Sequence, residues 1–264
     1  MGKIWMLLLL PALALAQNVA TNAPTPPRIV QLQIPVNNAA AIESQKAGKG
    51  GTTTLRAVLA LPANFDARRT WPVLLVTAPS GSSAVQSLGG YTNTALAAGW
   101  VTIAVDGPRV QTEQDHNVFS WAMISCLLEY LRHNWPNSAQ WPFACGGFSG
   151  GAKRAAMTAA QMMRQRDLVI GVFMGGCETD RATDGYLVSR PGPAFFDVPM
   201  FLSCGTRDPI AHGPEVKQSM EQTGFRNVRV ENYDGGHRLD TNQLRMALEW
   251  FRPVAKRDAV NRGR

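Results

Sequence analysis

The sequence predicts an α/β fold, with a mostly parallel central sheet of about eight strands and helices on both faces. Three observations carry this. The chain has 264 residues, 45% hydrophobic and 17% charged, which suits one domain with a sizeable core and is too apolar for a disordered chain. Most strand-length segments are continuously apolar, as expected of strands covered on both faces. From the third strand onward these segments alternate with helix-like runs, the pattern of parallel strands joined by crossover helices.

Strands are expected over residues 29–34, 54–61, 73–78, 101–105, 143–148, 168–174, 199–204 and 228–233. Helices are expected over residues 83–98, 117–133, 150–163, 214–223 and 240–251. In the last of these, Leu244, Ala247, Leu248 and Phe251 repeat at the i, i+3, i+4, i+7 spacing of one helix face. The first two strands are joined by a Gly- and Lys-rich connection, residues 45–51. No internal repeat is present, and no insertion is long enough for a large lid. The longest ambiguous connection, residues 175–198, is a candidate small cap over a pocket.

Both ends of the chain differ in composition from the middle. Lys3, an apolar run from Ile4 to Leu10 that extends past Pro11 to Leu15, and the small-x-small triplet Ala14-Leu15-Ala16 form the pattern of a secretory signal. Residues 1–16 are therefore expected to be a leader, residues 17–251 the folded domain, and residues 252–264 a disordered tail. The apolar run is too short to span a membrane, and a secreted or periplasmic location is expected. The formal charge is +7, but the last thirteen residues hold five basic side chains and one Asp. The basic balance thus lies largely in the tail. No Lys/Arg cluster with aromatics or a recognised motif points to nucleic acid, so neither a nucleic-acid partner nor a stable membrane span is expected.

Four cysteines occur, Cys126, Cys145, Cys177 and Cys204. An oxidising compartment permits three disulfide pairings among them. Their apolar neighbourhoods favour buried thiols, and the pairing is left open. Their spacing matches no zinc pattern, and no Gly-rich phosphate loop is present. No metal and no cofactor are expected.

The chemistry concentrates in residues 145–156, CGGFSGGAKRAA. Gly147-Phe148-Ser149-Gly150-Gly151 fits G-x-S-x-G between an expected strand and an expected helix, the setting of a nucleophile elbow. The glycines remove Cβ clashes that so sharp a turn creates. Ala152, Ala155 and Ala156 let the following helix pack closely, and its N-terminus points unpaired N–H groups at a reacting oxygen. A serine nucleophile needs a base and the base needs an orienting acid. His237 ends Tyr233-Asp234-Gly235-Gly236-His237 after the last strand, and Asp208 lies in Gly205-Thr206-Arg207-Asp208-Pro209-Ile210 after the preceding one. All three sit where strands give way to loops, on the ligand-binding edge of such sheets.

With Ser149, Asp208 and His237 in that chain order, the sequence resembles the α/β-hydrolase superfamily over roughly residues 54–251. It is most similar to small secreted esterases of the dienelactone hydrolase, polyhydroxybutyrate depolymerase and feruloyl esterase kind. The segments GFSGG, GTRDPI and GGH look like that family's nucleophile, acid and histidine motifs. The resemblance implies a serine hydrolase acting on a small-molecule or polymer-borne carboxylic ester. It further implies an oxyanion hole built from the backbone N–H groups of Ser80 and Gly150. The family's usual His-Gly pair before the hole is replaced here by Ala78-Pro79-Ser80-Gly81, and Pro79 has no N–H to donate. The residues alone leave open Glu178 or Asp180 as the acid, an acyltransferase or peptidase using the same groups, and an inactive binding protein that keeps the fold. They do not fix acyl or alcohol specificity or the oligomeric state.

Overall fold

The computed structural model describes residues 25–46, 52–107 and 113–261, with side chains described for all of these except 113–116 and 253–261. The expected leader lies outside the described residues. Eight strands form one open sheet: β1 (Arg28–Pro35), β2 (Thr54–Leu61), β3 (Val73–Thr77), β4 (Val101–Val105), β5 (Phe143–Phe148), β6 (Val169–Gly175), β7 (Met200–Gly205) and β8 (Val228–Tyr233). Their order across the sheet is β1-β2-β4-β3-β5-β6-β7-β8. β1 pairs antiparallel with β2 and β2 antiparallel with β4, while every pair from β4–β3 to β7–β8 is parallel. The expected strand positions hold, with ends shifting by one residue at both ends of β1 and where β3, β6 and β7 meet their loops.

Among the described residues the α-helices are α1 (Asn38–Lys46), α2 (Ala84–Ala97), α3 (Glu113–Asn134), α4 (Gly150–Arg164), α5 (Arg181–Ser189), α6 (Gly213–Thr223) and α7 (Thr241–Asn261). Alternation along the strands sorts the core into two layers. Leu74, Val76, Ala104, Ala144, Ile170, Phe173 and Phe201 face α2 and α7. Leu75, Ile103, Cys145, Val172 and Leu202 face the layer that holds α3, α4, α5 and α6. The periodic set Leu244, Ala247, Leu248 and Phe251 is fully buried, as its spacing predicts.

Two helices were not apparent from periodicity. α1 precedes the Gly/Lys-rich connection and buries only Ala40 and Ser44, so it presents no apolar stripe. α5 lies in the segment read as a candidate cap. It packs on α4, where a Cβ placed on Gly185 would lie 3.1 Å from the Ala160 methyl, and it borders a cavity among α3, α4 and α5 through Arg181, Asp184, Leu187 and Val188. Asp180 starts this helix by accepting the Thr183 N–H at 3.0 Å. At the C-terminal end, α7 runs ten residues beyond Phe251, to Asn261, so that stretch of the expected disordered tail has helical backbone. Its Ala, Lys and Arg residues are strong helix formers. All four cysteines are free and buried.

The contact between β6 and α7 is tight. A Cβ placed on Gly171 would lie 2.3 Å from the Phe251 ring, and that ring is fully buried. Gly171→Ala is therefore expected to destabilise the fold by about 1–3 kcal/mol through overpacking. Urea unfolding of the single variant and of Gly171→Ala/Phe251→Leu checks this, and the smaller ring-free side chain recovers part of the loss.

Candidate active site

Ser149 sits between β5 and α4 with φ 54° and ψ −123°, a conformation rarely adopted by a residue with a side chain. Such a backbone costs of the order of 1–3 kcal/mol and persists only where its surroundings over-determine it. Those surroundings are visible here. The Ser149 N–H donates to the Gly175 carbonyl at 2.8 Å, and the Ser149 carbonyl accepts the Ala152 N–H at 2.9 Å. A Cβ on Gly147 would lie 2.2 Å from the Gly151 carbonyl group, and one on Gly151 would lie 2.4 Å from the Thr77 oxygen. Only glycine allows strand, turn and helix to close this far. Ser149 occupies the N-cap position of α4, yet its hydroxyl makes no capping bond. The side chain is thus spared the usual role of a serine at that position.

His237 lies in the loop after β8. Its Nδ1 is 2.8 Å from Asp208 Oδ2, in the loop after β7. The Asp208 side chain is fully buried, whereas that of His237 is 26% exposed. Burial alone would raise the Asp208 pKa. The hydrogen bond with His237 and the backbone N–H groups of Ile210 and Ala211 outweigh it and hold the carboxyl below its ordinary value. Asp208 is therefore a fixed, ionised acceptor. The imidazole lies against the ring of Phe148, the residue before Ser149, with centroids 4.6 Å apart and planes tilted by 47°. Its Cε1 lies 2.9 Å from the position of a Cβ on Gly176, next to the carbonyl that holds the Ser149 N–H. With Nδ1 turned to Asp208, Nε2 occupies the opposite side of the ring.

The structure therefore brings Asp208 and His237 together and sets the imidazole beside the Ser149 turn. It engages the alternative acids elsewhere. Glu178 forms an ion pair with Lys153. Asp180 accepts from Thr183 and from the Ser219 hydroxyl. Of the carboxylates near His237 in sequence, Asp240 accepts the Gln243 N–H at 3.0 Å, as a cap of α7, and Asp234 is an exposed partner of Arg207.

Ser80 and Gly150 fall on facing segments. Gly150 opens α4, where N–H groups have no partner within the helix. Ser80 lies in the turn between β3 and α2, closed by the Ser82 N–H to the Pro79 carbonyl at 3.3 Å. Three contacts anchor that turn. Gly107, after β4, donates its N–H to the Ser82 carbonyl at 2.8 Å. The Thr77 hydroxyl lies 2.7 Å from the Gly151 oxygen and 3.1 Å from the Gly146 oxygen. Arg154 donates Nε–H to the Ala78 carbonyl at 2.9 Å. Asp106, just after β4 at the same sheet edge, accepts the Ala84 N–H at the start of α2 at 2.9 Å. Thr77, Arg154 and the ring of Phe148 carry no motif signal that would single them out.

Two cavities flank these elements. One of about 220 Å³ is bordered by Pro79, Gln86, Tyr91, Phe148 and Leu239, and so adjoins both the Ser80 turn and the Ser149 turn. A larger one, of about 610 Å³, lies among α3, α4 and α5; neither cavity is lined by Ser149, Asp208 or His237 themselves, and the smaller one reaches their neighbour Phe148. Volume alone does not mark the site, and the smaller cavity is the one next to the candidate chemistry.

No protein-family profile matches the chain. Among curated proteins it is similar to acyl-protein thioesterase 1 of Candida albicans, 28% identical over 141 residues, covering 50% of this chain and 58% of that protein's length. Among solved structures it resembles an esterase from Pyrobaculum calidifontis, with a TM-score of 0.55 and 15% identity over 88% of this chain and 83% of that one. A ferulic acid esterase gives a TM-score of 0.58 at 15% identity, over 88% of this chain and 99% of that one. A cold-adapted esterase from an Arctic intertidal metagenomic library gives 0.60 at 12% identity, over 88% and 94%. The eight-stranded open sheet, its strand order and these likenesses agree: the chain has the α/β-hydrolase fold.

Proposed function

We propose that the protein is an exported serine hydrolase that cleaves carboxylic esters through an acyl-enzyme on Ser149. One observation carries the reading: a serine held in a strained, uncapped turn, beside an imidazole whose far nitrogen is fixed by a buried carboxylate. A fold that bears a strain of this kind at a hydroxyl, with a hydrogen-bonded His–Asp pair next to it, has the parts of acyl transfer. The esterases and the thioesterase among its relatives support the same class of chemistry. The leader-like pattern of residues 1–16 supports export.

In this mechanism Ser149 Oγ attacks the ester carbonyl while His237 Nε2 takes its proton. Asp208 holds the tautomer with the proton on Nδ1 and stabilises the imidazolium. The carbonyl oxygen becomes an oxyanion that accepts from the Ser80 and Gly150 N–H groups. The carbon–oxygen bond to the alcohol breaks as His237 returns the proton to the leaving oxygen. A water molecule then loses a proton to His237 and attacks the acyl-enzyme, releasing the acid and restoring Ser149. The small volume of the cavity beside Phe148 and Pro79 supports short acyl groups or bulky alcohols over long acyl chains.

An inactive binding protein is the rival class, and it gives no reason for the strain at Ser149. Hydrolysis of short p-nitrophenyl esters, with intact-mass analysis after a fluorophosphonate, separates the two. The wild type is expected to turn over and to carry one adduct, and Ser149→Ala to lose both, with a fall in kcat of at least about a thousandfold. A folded wild type with neither turnover nor adduct would sink the proposal. Across a panel of acyl lengths, a preference for long chains would contradict the substrate reading.

A second expectation concerns pH. The Asp208 pKa is lower in the folded than in the unfolded state, so its ionised form stabilises the fold. That stabilisation is complete above the ordinary carboxylate value of about 3.9 and is lost as pH falls through the lower folded value. Asp208→Asn lacks it. Unfolding by urea between about pH 6 and pH 2 should therefore show the wild type losing more stability on acidification than Asp208→Asn. Parallel pH curves would contradict the assignment.

A further inference from the structure

We propose that Arg154 is a positioning residue that sets the oxyanion hole, fastening the segment that carries the Ser80 N–H to the helix that carries the Gly150 N–H. The inference rests on the serine-hydrolase reading and adds a residue to it.

Arg154 lies on α4, five residues after Ser149, and is only 4% exposed. Burying a guanidinium is costly unless its donors are well used. Its Nε–H reaches the Ala78 carbonyl at 2.9 Å, across a sequence separation of 76 residues. Ala78 is the last residue before Pro79-Ser80. The other end of the same planar group lies against the elbow: Nη2 is 3.1 Å from the position of a Cβ on Gly150. One planar side chain thus bonds the carbonyl two residues before Ser80 and fills the space beside Gly150.

The placement matters because Pro79 has no N–H with which to tie its own turn. Thr77 is fixed to Gly151 from the strand side, and Ser82 is fixed to Gly107 from the far side. Ala78 and Ser80 lie between these anchors, and the bond from Arg154 to Ala78 links that span directly to α4. Arginine suits the task better than lysine, since its fork is planar and pre-organised. Its charge also lies at the positive end of the α4 dipole, which adds to the potential favouring an anionic oxygen there. Small displacements of such donors are expensive: a misplacement near 1 Å costs about a hundredfold in rate.

The test compares wild type, Arg154→Met and Arg154→Lys in the full chain. The measurements are kcat and KM on p-nitrophenyl acetate, Ki for an aryl trifluoromethyl ketone, and thermal unfolding. The ketone forms a tetrahedral adduct with the serine and so reports on the oxyanion hole. In Arg154→Met, kcat should fall about ten- to a hundredfold with KM within about twofold. The ketone Ki should rise by the factor by which kcat/KM falls. Arg154→Lys, which keeps the charge and one donor reach, should recover part of both. If Arg154→Met does not fold, the lysine variant decides through the same proportionality between Ki and kcat/KM. Ki unchanged in the folded variants, or activity falling only with the folded fraction, would overturn the inference and leave the proposed function standing. A wild type without turnover or Ser149 adduct would take down both.

Discussion

The backbone of Ser149 is the constraint on which the rest of the site depends. Its dihedral angles are unfavourable for any residue with a side chain, so the turn exists only because three neighbouring segments force it. β6 supplies the Gly175 carbonyl that holds the Ser149 N–H. α4 returns so close to β5 that its second residue meets Gly147, and β3 presses the Thr77 oxygen against that same residue. These contacts are between backbones, which cannot shift as a flexible side chain does. The core beneath is close-packed: Ala152, Ala155, Ala156, Ala159 and Ala160 are all fully buried, which lets α4 lie flat on the sheet. Strain at one residue is thus stabilised by burial across a whole helix.

The parallel sheet converts this local constraint into a site. Parallel strands end on the same edge, so loops far apart in sequence arrive side by side. The register places Gly205 of β7 opposite Tyr233 of β8, which brings the loops that carry Asp208 and His237 into contact. The ring of Phe148 then bridges them to the elbow by packing against His237. A buried, ionised Asp208 is tolerated because backbone N–H groups and the imidazole satisfy it. Each of these features is a consequence of strand order; none requires a residue that is unusual in itself.

That division explains what was legible in the sequence. The sheet could be read because strands buried on both faces are continuously apolar, as in Val73–Thr77 and Val101–Val105, where every residue is buried. The elbow could be read because its close approaches admit only glycine, and the His–Asp pair because both residues sit just past strand ends. What escaped depends on packing without a pattern. α1 is short and only weakly amphipathic, and the face that α5 buries, Ala182, Gly185 and Ser189, is made of small residues, so no run of large apolar side chains announces either. Arg154 appears in sequence as one more charge on an exposed-looking helix, and nothing local indicates that its Nε meets a carbonyl 76 residues away. Thr77 likewise reads as the polar end of a strand. Motifs report backbone demands within a few residues, whereas the supports of a site are long-range and side-chain specific.

The four cysteines fit this picture and bear on the proposed export. In an oxidising compartment a reduced thiol survives if it is inaccessible and protonated, since the thiolate is the reactive form. Burial raises the pKa of all four, and Cys177 is pushed up to about 11 by it. Cys145 is fully buried on β5, four residues before Ser149. There the thiol acts as a small apolar side chain in the layer that carries α4. A disulfide at that position would require a partner to enter the space that α4 fills, and would open the contacts that force the turn. The buried Cys145 thiol therefore serves the same end as the glycines and alanines: it keeps the strand, the turn and the helix close enough to hold Ser149 in its strained conformation.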